Sequence, residues 1–559
     1  MKNIFNIRKA IFLTALFSVI LIGCKDEQFL PGADRLFRPM IKSDTVSMTW
    51  ITINWDQYKG AKSYEVQMSV DTFKTVLRTD RTKGTRYLFD NLDFDTKYQI
   101  RLRAIGDSIL STGDTITSKY FTKDLSTLDY PTLLIDPTSS DEIDNSVRVK
   151  WKTSSMVYSR IDVMVNKDSV YKSFSVTSAD NLAGEKIISG LQPATTYIVK
   201  IFVGNEFNDY RGKKTFKTAA SQNFIGDVVD LRDSSDVAAQ TFFSTQAIFD
   251  NLAVLHPNGF NMILSGGVTY TLPTLNVSVP INMVTGLSFK GKAIVAVNGS
   301  FGITAGIKVS KLRFEKIFFT GGNISGKLKT DGNYGGTYLI NMNQLNGNLD
   351  TLQFENCDVK YKRGAIRMQT TATVGLVKVN NCLFDSIGGY GIVNNANANS
   401  RIENIVLSNS TIAHADKLLV CGQAKSVNSI AISNITTYFA PMTAGYFLDY
   451  NTNDVPGGVT IMNSVFGPGF TGSLVTPVAM ASVNGTRFAA TTTPTFINCY
   501  KTSDLTWTMK ADLITPNAPI TALVDLALPS TTVFAGAATS NFKVTDSRLV
   551  KLIGDPRWW

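Results

Sequence analysis

Between residues 352 and 466, apolar and polar positions alternate in short bursts, and each burst ends on Asn. The phrase reads Leu352-Gln-Phe354-Glu-Asn356-Cys357, then Val377-Lys-Val379-Asn-Asn381-Cys382. It returns as Ile405-Val-Leu407-Ser-Asn409, Ile430-Ala-Ile432-Ser-Asn434 and Val459-Thr-Ile461-Met-Asn463. The Asn-to-Asn steps are 25, 28, 25 and 29 residues, and Phe496-Ile-Asn498-Cys499 echoes the phrase 35 residues later. Alternation predicts half-buried strands, and recurrence in this range predicts stacked supersecondary units. The pattern therefore predicts a right-handed parallel β-helix with one repeat per coil and coils about 4.8 Å apart. Asn356, Asn381, Asn409, Asn434 and Asn463 are expected to form a ladder of amides inside one turn, each bonding the coils above and below. Cys357 and Cys382 should stack behind them. Parallel register does not offer the crossed geometry of a disulfide, so free buried thiols are favoured over a bridge.

The same patterning organises the rest of the chain. Ile51-Thr-Ile53-Asn-Trp55, Tyr64-Glu-Val66-Gln-Met68 and Ile100-Arg-Leu102-Arg-Ala104 alternate as strands within a unit at 39–122. A second unit at 128–219 repeats the plan, with Val147-Arg-Val149-Lys-Trp151 matching the first Trp strand. Short alternating strands over this length predict two β-sandwiches with Trp55 and Trp151 in their cores. A helix is expected at about 235–255, with Phe242, Phe243, Ile248, Phe249, Leu252 and Leu255 on its apolar face. A solenoid's end coil exposes a hydrophobic cross-section, so this helix should close the N-terminal end of a β-helix spanning 221–559. Early coils are expected through 261–264, 268–272, 287–289 and 294–297. Lys316 stands where the repeat has Asn, so the ladder should begin one coil later. The Gly- and Asn-rich stretch 321–348 reads as a protruding loop, and 471–559 as irregular last coils and a cover. The fold class is all-β.

Composition changes the picture little. Lys and Arg number 55 against 45 Asp and Glu, a net charge of +10 over 559 residues. The excess is mild and dispersed; it suits an acidic polymer but is too dilute to argue nucleic-acid binding. Residues 1–23 have a charged start (Lys2, Arg8, Lys9) and an apolar stretch to Ile22, the pattern of a removable targeting segment.

Particular residues carry resemblances. Leu21-Ile22-Gly23-Cys24 resembles the bacterial lipobox, which implies cleavage before Cys24 and lipid attachment to it, with 24–38 as a tether. Lys25-Asp26-Glu27 resembles the surface-export signal of Bacteroidetes-type lipoproteins, implying an outer-membrane anchor with display on the cell exterior. Leu191-Gln-Pro193-Ala-Thr195-Thr-Tyr197 resembles the tyrosine corner of fibronectin type III domains; in the first unit Phe94 replaces the Pro before Tyr98. The Asn repeat is similar to the pectin-lyase-like β-helix superfamily. Gly554-Asp555-Pro556-Arg557-Trp558 resembles the ending of β-helix domains of unknown function in Bacteroidetes-type surface lipoproteins. Together these imply a polysaccharide-binding role in a glycan-utilisation system, for pectin-like or other acidic glycans and with other uptake components as partners.

The alternative on the same fold is a lyase that β-eliminates uronate polymers, with Ca²⁺ as cofactor. A structural or adhesive surface protein is the third class. The densest cluster is Lys360-Tyr361-Lys362-Arg363-Gly-Ala-Ile-Arg367. Alternation puts Lys360 and Lys362 on one outer face, with Arg367 a candidate to join them, and there a solvated basic strand, a carboxylate site and a lyase base all remain open. Asp350, Asp358 and Asp385 are candidate Ca²⁺ ligands. Tyr334, Tyr338, Tyr361, Tyr390, Tyr438 and Tyr446 are candidate sugar platforms. His256 reads as structural and His414 as a surface residue. The paired Asp-Asp and Gly-His-Gly of polygalacturonases and the Trp-x-Asp-His of pectate lyases are missing, and no zinc spacing or phosphate loop occurs.

Overall fold

The computed structural model describes residues 36–109, 115–166, 169–205, 209–232, 236–321, 338–395, 397–422, 427–471, 479–508 and 519–559. Cys24, the export signal, Tyr334 and most of the 321–348 loop lie outside the described residues. The chain divides at 219/220 into two compact units.

The N-terminal unit holds two antiparallel β-sandwiches. In the first, Ile41–Val46, Ile51–Trp55 and Arg86–Phe89 form one sheet, and Ser63–Ser69, Arg78–Thr82, Lys97–Ile109, Thr115–Thr117 and Phe121–Ser126 the other. Trp55 is buried edge-on to Tyr64 at 5.3 Å. In the second, Trp151 packs on Tyr158 at 5.6 Å in the same way. The tyrosine corner closes in both: the Tyr98 hydroxyl accepts from the Asp93 N–H (2.9 Å) and that of Tyr197 from the Gln192 N–H (2.8 Å). Phe94 does not break the first corner. Its ring packs edge-on against Tyr130 instead, at 5.2 Å.

The C-terminal unit is a parallel β-helix of about eight turns wound from one continuous 24-stranded sheet. Its first face stacks Asp227–Asp230, Phe260–Leu264, Ile281–Thr285, Lys308–Glu315, Asn348–Glu355 and Thr373–Asn380, and continues to Thr495–Ile497. The second face opens with Thr269–Leu272, Ala293–Val297 and Ile317–Gly321. The third opens with Leu275–Val277, Phe301–Ile303 and Tyr338–Met342. On the first face the repeat phrase stacks in register. Leu312, Leu352, Val377, Ile405, Ile430 and Val459 form one inward column, and Phe314, Phe354, Val379, Leu407, Ile432, Ile461 and Phe496 the next. Each such side chain contributes about 1.5–3 kcal/mol on leaving water.

The Asn column exists, but for a reason other than the expected amide ladder. Asn356, Asn381, Asn409, Asn434 and Asn463 all hold left-handed backbone, with φ of 49–53°, and so do Lys316 (54°) and Asn498 (51°). Asn tolerates that conformation better than other residues bearing a Cβ, and it turns the chain from the first face to the second. The left-handed column begins at Lys316, and its Asn residues begin one coil later, at Asn356. The amides are half-exposed, and Asn356, Asn381 and Asn434 make no amide-to-amide bond among the described residues. Contacts between amides are occasional, as when Asn409 Nδ2 donates to Asn380 Oδ1 at 2.8 Å.

The ladder between storeys sits one residue later, inside the wall. The Cys357 N–H donates to Cys382 Sγ (3.3 Å), the Cys382 N–H to Ser410 Oγ (3.0 Å) and the Ile435 N–H to Ser464 Oγ (3.2 Å). Thiols and hydroxyls fill this column because they accept from the neighbouring storey and donate back to a local carbonyl, as Cys382 Sγ does to Asn380 O at 3.1 Å. The four described cysteines are buried and form no disulfide, and burial pushes the Cys382 thiol well up.

The expected single helix is broken in two, Asp236–Thr241 and Gln246–Leu255. The break drives Phe243 into the core against Tyr270 (5.1 Å) and Phe249 (5.7 Å). Leu255 faces outward, not inward. The helices contact the opening strands of the second and third faces, covering the first cross-section. The expected coil at 287–289 is a turn; the strand lies at Ile281–Thr285.

The tail does more than cover the last coil. After Leu526 it folds back along the outside of the second face, where Val533, Phe534, Phe542, Val544, Leu549 and Ile553 pack on Tyr438, Phe439, Val465 and Phe470. The Gly-Asp-Pro-Arg-Trp ending then crosses the coils like a clasp. The Gly554 N–H donates to Asn463 O (2.9 Å), and the Asp555 N–H to Thr436 Oγ1 (3.0 Å). Thr411 Oγ1 donates to Asp555 (2.6 Å), Trp558 Nε1 donates to Thr411 Oγ1 (2.7 Å), and the Arg557 guanidinium donates to Cys382 O.

Candidate functional site

The basic strand Asp358–Met368 does not present its charges on one face. Tyr361 holds left-handed backbone (φ 56°) and turns the chain from the second face to the third. This corner resets the two-residue period. Lys360 points outward and pairs with Asp385 at 3.2 Å. Lys362 instead takes a core slot: it is 0% exposed, lies in register with Ile387, and Nζ donates to Val297 O at 3.1 Å. The expectation that Lys360 and Lys362 share an outer face is therefore corrected, because alternation holds along a strand but not around a corner.

Past the corner, Arg363 and Arg367 do gather, with Tyr390 and Tyr338. The Arg363 guanidinium lies over the Tyr390 ring at 4.0 Å and donates to its hydroxyl. Arg367 lies over Tyr338 at 4.9 Å and Tyr390 at 5.5 Å, and the two rings meet edge-to-face at 5.2 Å. Gly364 makes room for this: a Cβ there would stand 2.9 Å from Tyr390 Cβ and 3.1 Å from the Tyr338 ring. Neither guanidinium has a carboxylate partner among the described residues. Both Nε atoms, the Tyr338 hydroxyl and Asn341 Oδ1 are buried without a hydrogen-bond partner. Burial pushes the Tyr338 hydroxyl up to about 12, so it stays a donor at neutral pH. Both arginines are part-exposed, so the ends of the two stacked guanidinium groups, and not their buried Nε atoms, are the donors that suit a carboxylate carried on a saccharide ring.

The sequence named Tyr338 only as one platform among six and did not name Asn341. Both stand in register with the basic strand, Tyr338 beside Gly364 and Asn341 beside Arg367. The long insertion before them breaks the repeat, so no spacing in the sequence links them.

The three aspartates do not converge. Asp350 pairs with Lys308 (2.9 Å), Asp358 with Lys292 (3.0 Å) and more distantly Arg557 (3.9 Å), and Asp385 with Lys360 and His414 (2.9 Å). Among the described residues no group of His, Cys, Asp or Glu is placed to hold a metal ion. Asp385 is the most buried of the three. Burial raises its carboxyl, but the hydrogen bond and charge of His414 and the ammonium of Lys360 outweigh this and hold it below the usual carboxylate range. His414 is therefore no free surface residue; it packs on Tyr438 and Phe439, both at 5.8 Å. Tyr438 is a core residue, and Tyr446 lies under Arg487 at 4.7 Å. His256 pairs with Asp227 at 2.8 Å.

No protein-family model matches the chain, and no curated protein does. Among solved structures, the crystal structure of the FN1–FN3 domains of chicken CNTN1 aligns over 33% of this chain and 66% of its own length, at 16% identity and a TM-score of 0.15. A two-domain fibronectin type III segment of chicken tenascin aligns over 33% of this chain and 99% of its own, at 14% identity and a TM-score of 0.16.

Proposed function

We propose that this chain is a surface-displayed lipoprotein that binds acidic polysaccharide, pectin-like in charge, for a glycan-utilisation system. The observation that carries this reading is the pair Arg363 and Arg367, stacked on Tyr390 and Tyr338 with no carboxylate partner among the described residues. A uronate ring offers a carboxylate for the guanidinium donors and an apolar face for a tyrosine. In this reading the two sandwiches act as spacers between the lipid on Cys24 and the β-helix.

Affinity electrophoresis of the purified chain through polygalacturonate and through a neutral galactan tests the binding. The parent should be retarded by the acidic gel, and Arg363→Ala/Arg367→Ala should lose about tenfold or more in affinity, the scale of charge-assisted bonds. Equal mobility of parent and variant would remove the site. Equal mobility of the parent with and without glycan would remove the reading. The anchor has its own test. In the native cell the chain should fractionate with membranes, and Cys24→Ala should release it to the soluble fraction; a variant that stays with membranes would rule out the thiol as the attachment point.

A further inference from the structure

A second polar recess lies on the first face near the solenoid's N-terminal end. The 222–226 segment arches over the outward residues of the first coils and leaves two adjoining cavities of about 280 and 570 Å³. Both are lined by Asn261, Asn282 and Lys311, the smaller also by Asp227 and the larger by Gln222, Phe224, Arg313 and Glu315. The floor is pre-ordered. Asn261 Nδ2 donates to Ile225 O (3.0 Å) and Asp227 O (3.1 Å), Asn282 Nδ2 donates to Asn261 Oδ1 (2.8 Å), and Arg313 donates to Asn282 Oδ1 (3.0 Å). Arg313 is also held by Glu315 at 2.6 Å. Among the described residues this bonded chain leaves the second hydrogen of Asn282 Nδ2 and the Lys311 ammonium without a partner, and Gln222 Oε1 is buried without one.

Lys311 has no acidic partner among the described residues. Desolvation, then the charges of Arg313 and Lys378, lowers its pKa. The exposed Lys311 ammonium stands at the mouth of the recess beside the charges of Arg313 and Lys378, and the Glu315 carboxylate in the lining is taken up by Arg313, so Lys311 is the cation left for an anion. Gln222 and Asn282 supply an acceptor and a donor for hydroxyls, and Phe224 adds an apolar wall.

We infer that this recess is a separate subsite for a carboxylate-bearing saccharide, with Lys311 holding the carboxylate and Asn282 and Gln222 the ring hydroxyls. The inference rests on the acidic-glycan reading and adds to it a site on a different face of the solenoid from Arg363 and Arg367. Two sites on one rigid solenoid would raise the avidity of the chain for a long polymer over that for a short oligomer.

Titration calorimetry of the full chain with tetragalacturonate and with a neutral galactotetraose separates the possibilities. Lys311→Met should weaken tetragalacturonate binding at the subsite by about tenfold, Lys311→Arg should retain it, and a titration of the parent should fit two sites. Unchanged two-site binding in Lys311→Met overturns the subsite. So does a single site in the parent that vanishes in Arg363→Ala/Arg367→Ala; the glycan reading then stands. Equal loss in Lys311→Met and Lys311→Arg marks Lys311 as a structural residue and also overturns it. No binding of tetragalacturonate by the parent overturns the glycan reading itself.

Discussion

Replacing Asp555 by Ala is expected to lower the stability of the β-helix by about 3–5 kcal/mol, the usual cost of breaking a buried charged pair. Asp555 is fully buried near the chain's end, yet it binds residues of earlier coils. Its carboxylate accepts from Thr411, from the Arg557 backbone N–H and from the Arg557 guanidinium, while its own N–H donates to Thr436. Removing the carboxylate leaves the half-buried Arg557 guanidinium with only the more distant Asp358, at 3.9 Å, as counter-charge and frees the segment that joins the coils of Cys382, Thr411, Thr436 and Asn463. Asp555→Asn keeps the shape but loses the charge and sets an amide NH2 against donors that both carboxylate oxygens now accept from, so it should fall between parent and Ala. Calorimetric unfolding of the purified chain, read on the β-helix transition, measures this. A loss below about 1 kcal/mol, the level of an exposed ion pair, would show that the ending is a passive cover.

The second large effect is expected at Lys362. Lys362→Glu should destabilise the β-helix by more than about 4 kcal/mol, because it sets a carboxylate in the core against the Val297 carbonyl that now accepts from Nζ. Lys362→Met should cost far less, about 1–2 kcal/mol. The methionine keeps the length and the apolar stem in a slot whose neighbour in register is Ile387, and isosteric apolar replacements of buried charges are often nearly neutral. Circular dichroism melts of the two variants decide it. Similar melting for both would mean that the side chain reaches water in solution and that the corner at Tyr361 is wrongly placed.

These two residues mark what reading along the chain cannot reach. Lys362 stands two positions from Lys360, and within one strand they would share a face. A left-handed residue between them sends one outward to Asp385 and the other into the core. That corner is itself a column: Tyr361, Ser386, His414 and Phe439 all have φ between 47° and 59°, five residues after Asn356, Asn381, Asn409 and Asn434. The first corner is legible because Asn favours left-handed backbone and recurs. The second is silent because stacking imposes the conformation on whatever residue arrives there, at a cost of roughly 1–3 kcal/mol each for residues that resist it. The cation–aromatic site depends on this silent corner, since it aims Arg363 and Arg367 at Tyr390 and Tyr338.

By itself the sequence determined what local chemistry can encode: alternating strands, the storey-to-storey repeat of the solenoid, the Asn turns, and two sandwiches with buried Trp cores and Tyr corners. Period-two burial and torsional preference act over a few residues, so they leave a trace in residue order. Only the tertiary structure decided which cations face outward, that thiols and hydroxyls and not amides carry the inner ladder, that the last residues clasp coils up to 175 positions earlier, and that a polar recess opens under residues 222–226. Those outcomes depend on which coil lies over which, and contact across storeys leaves no period in the chain.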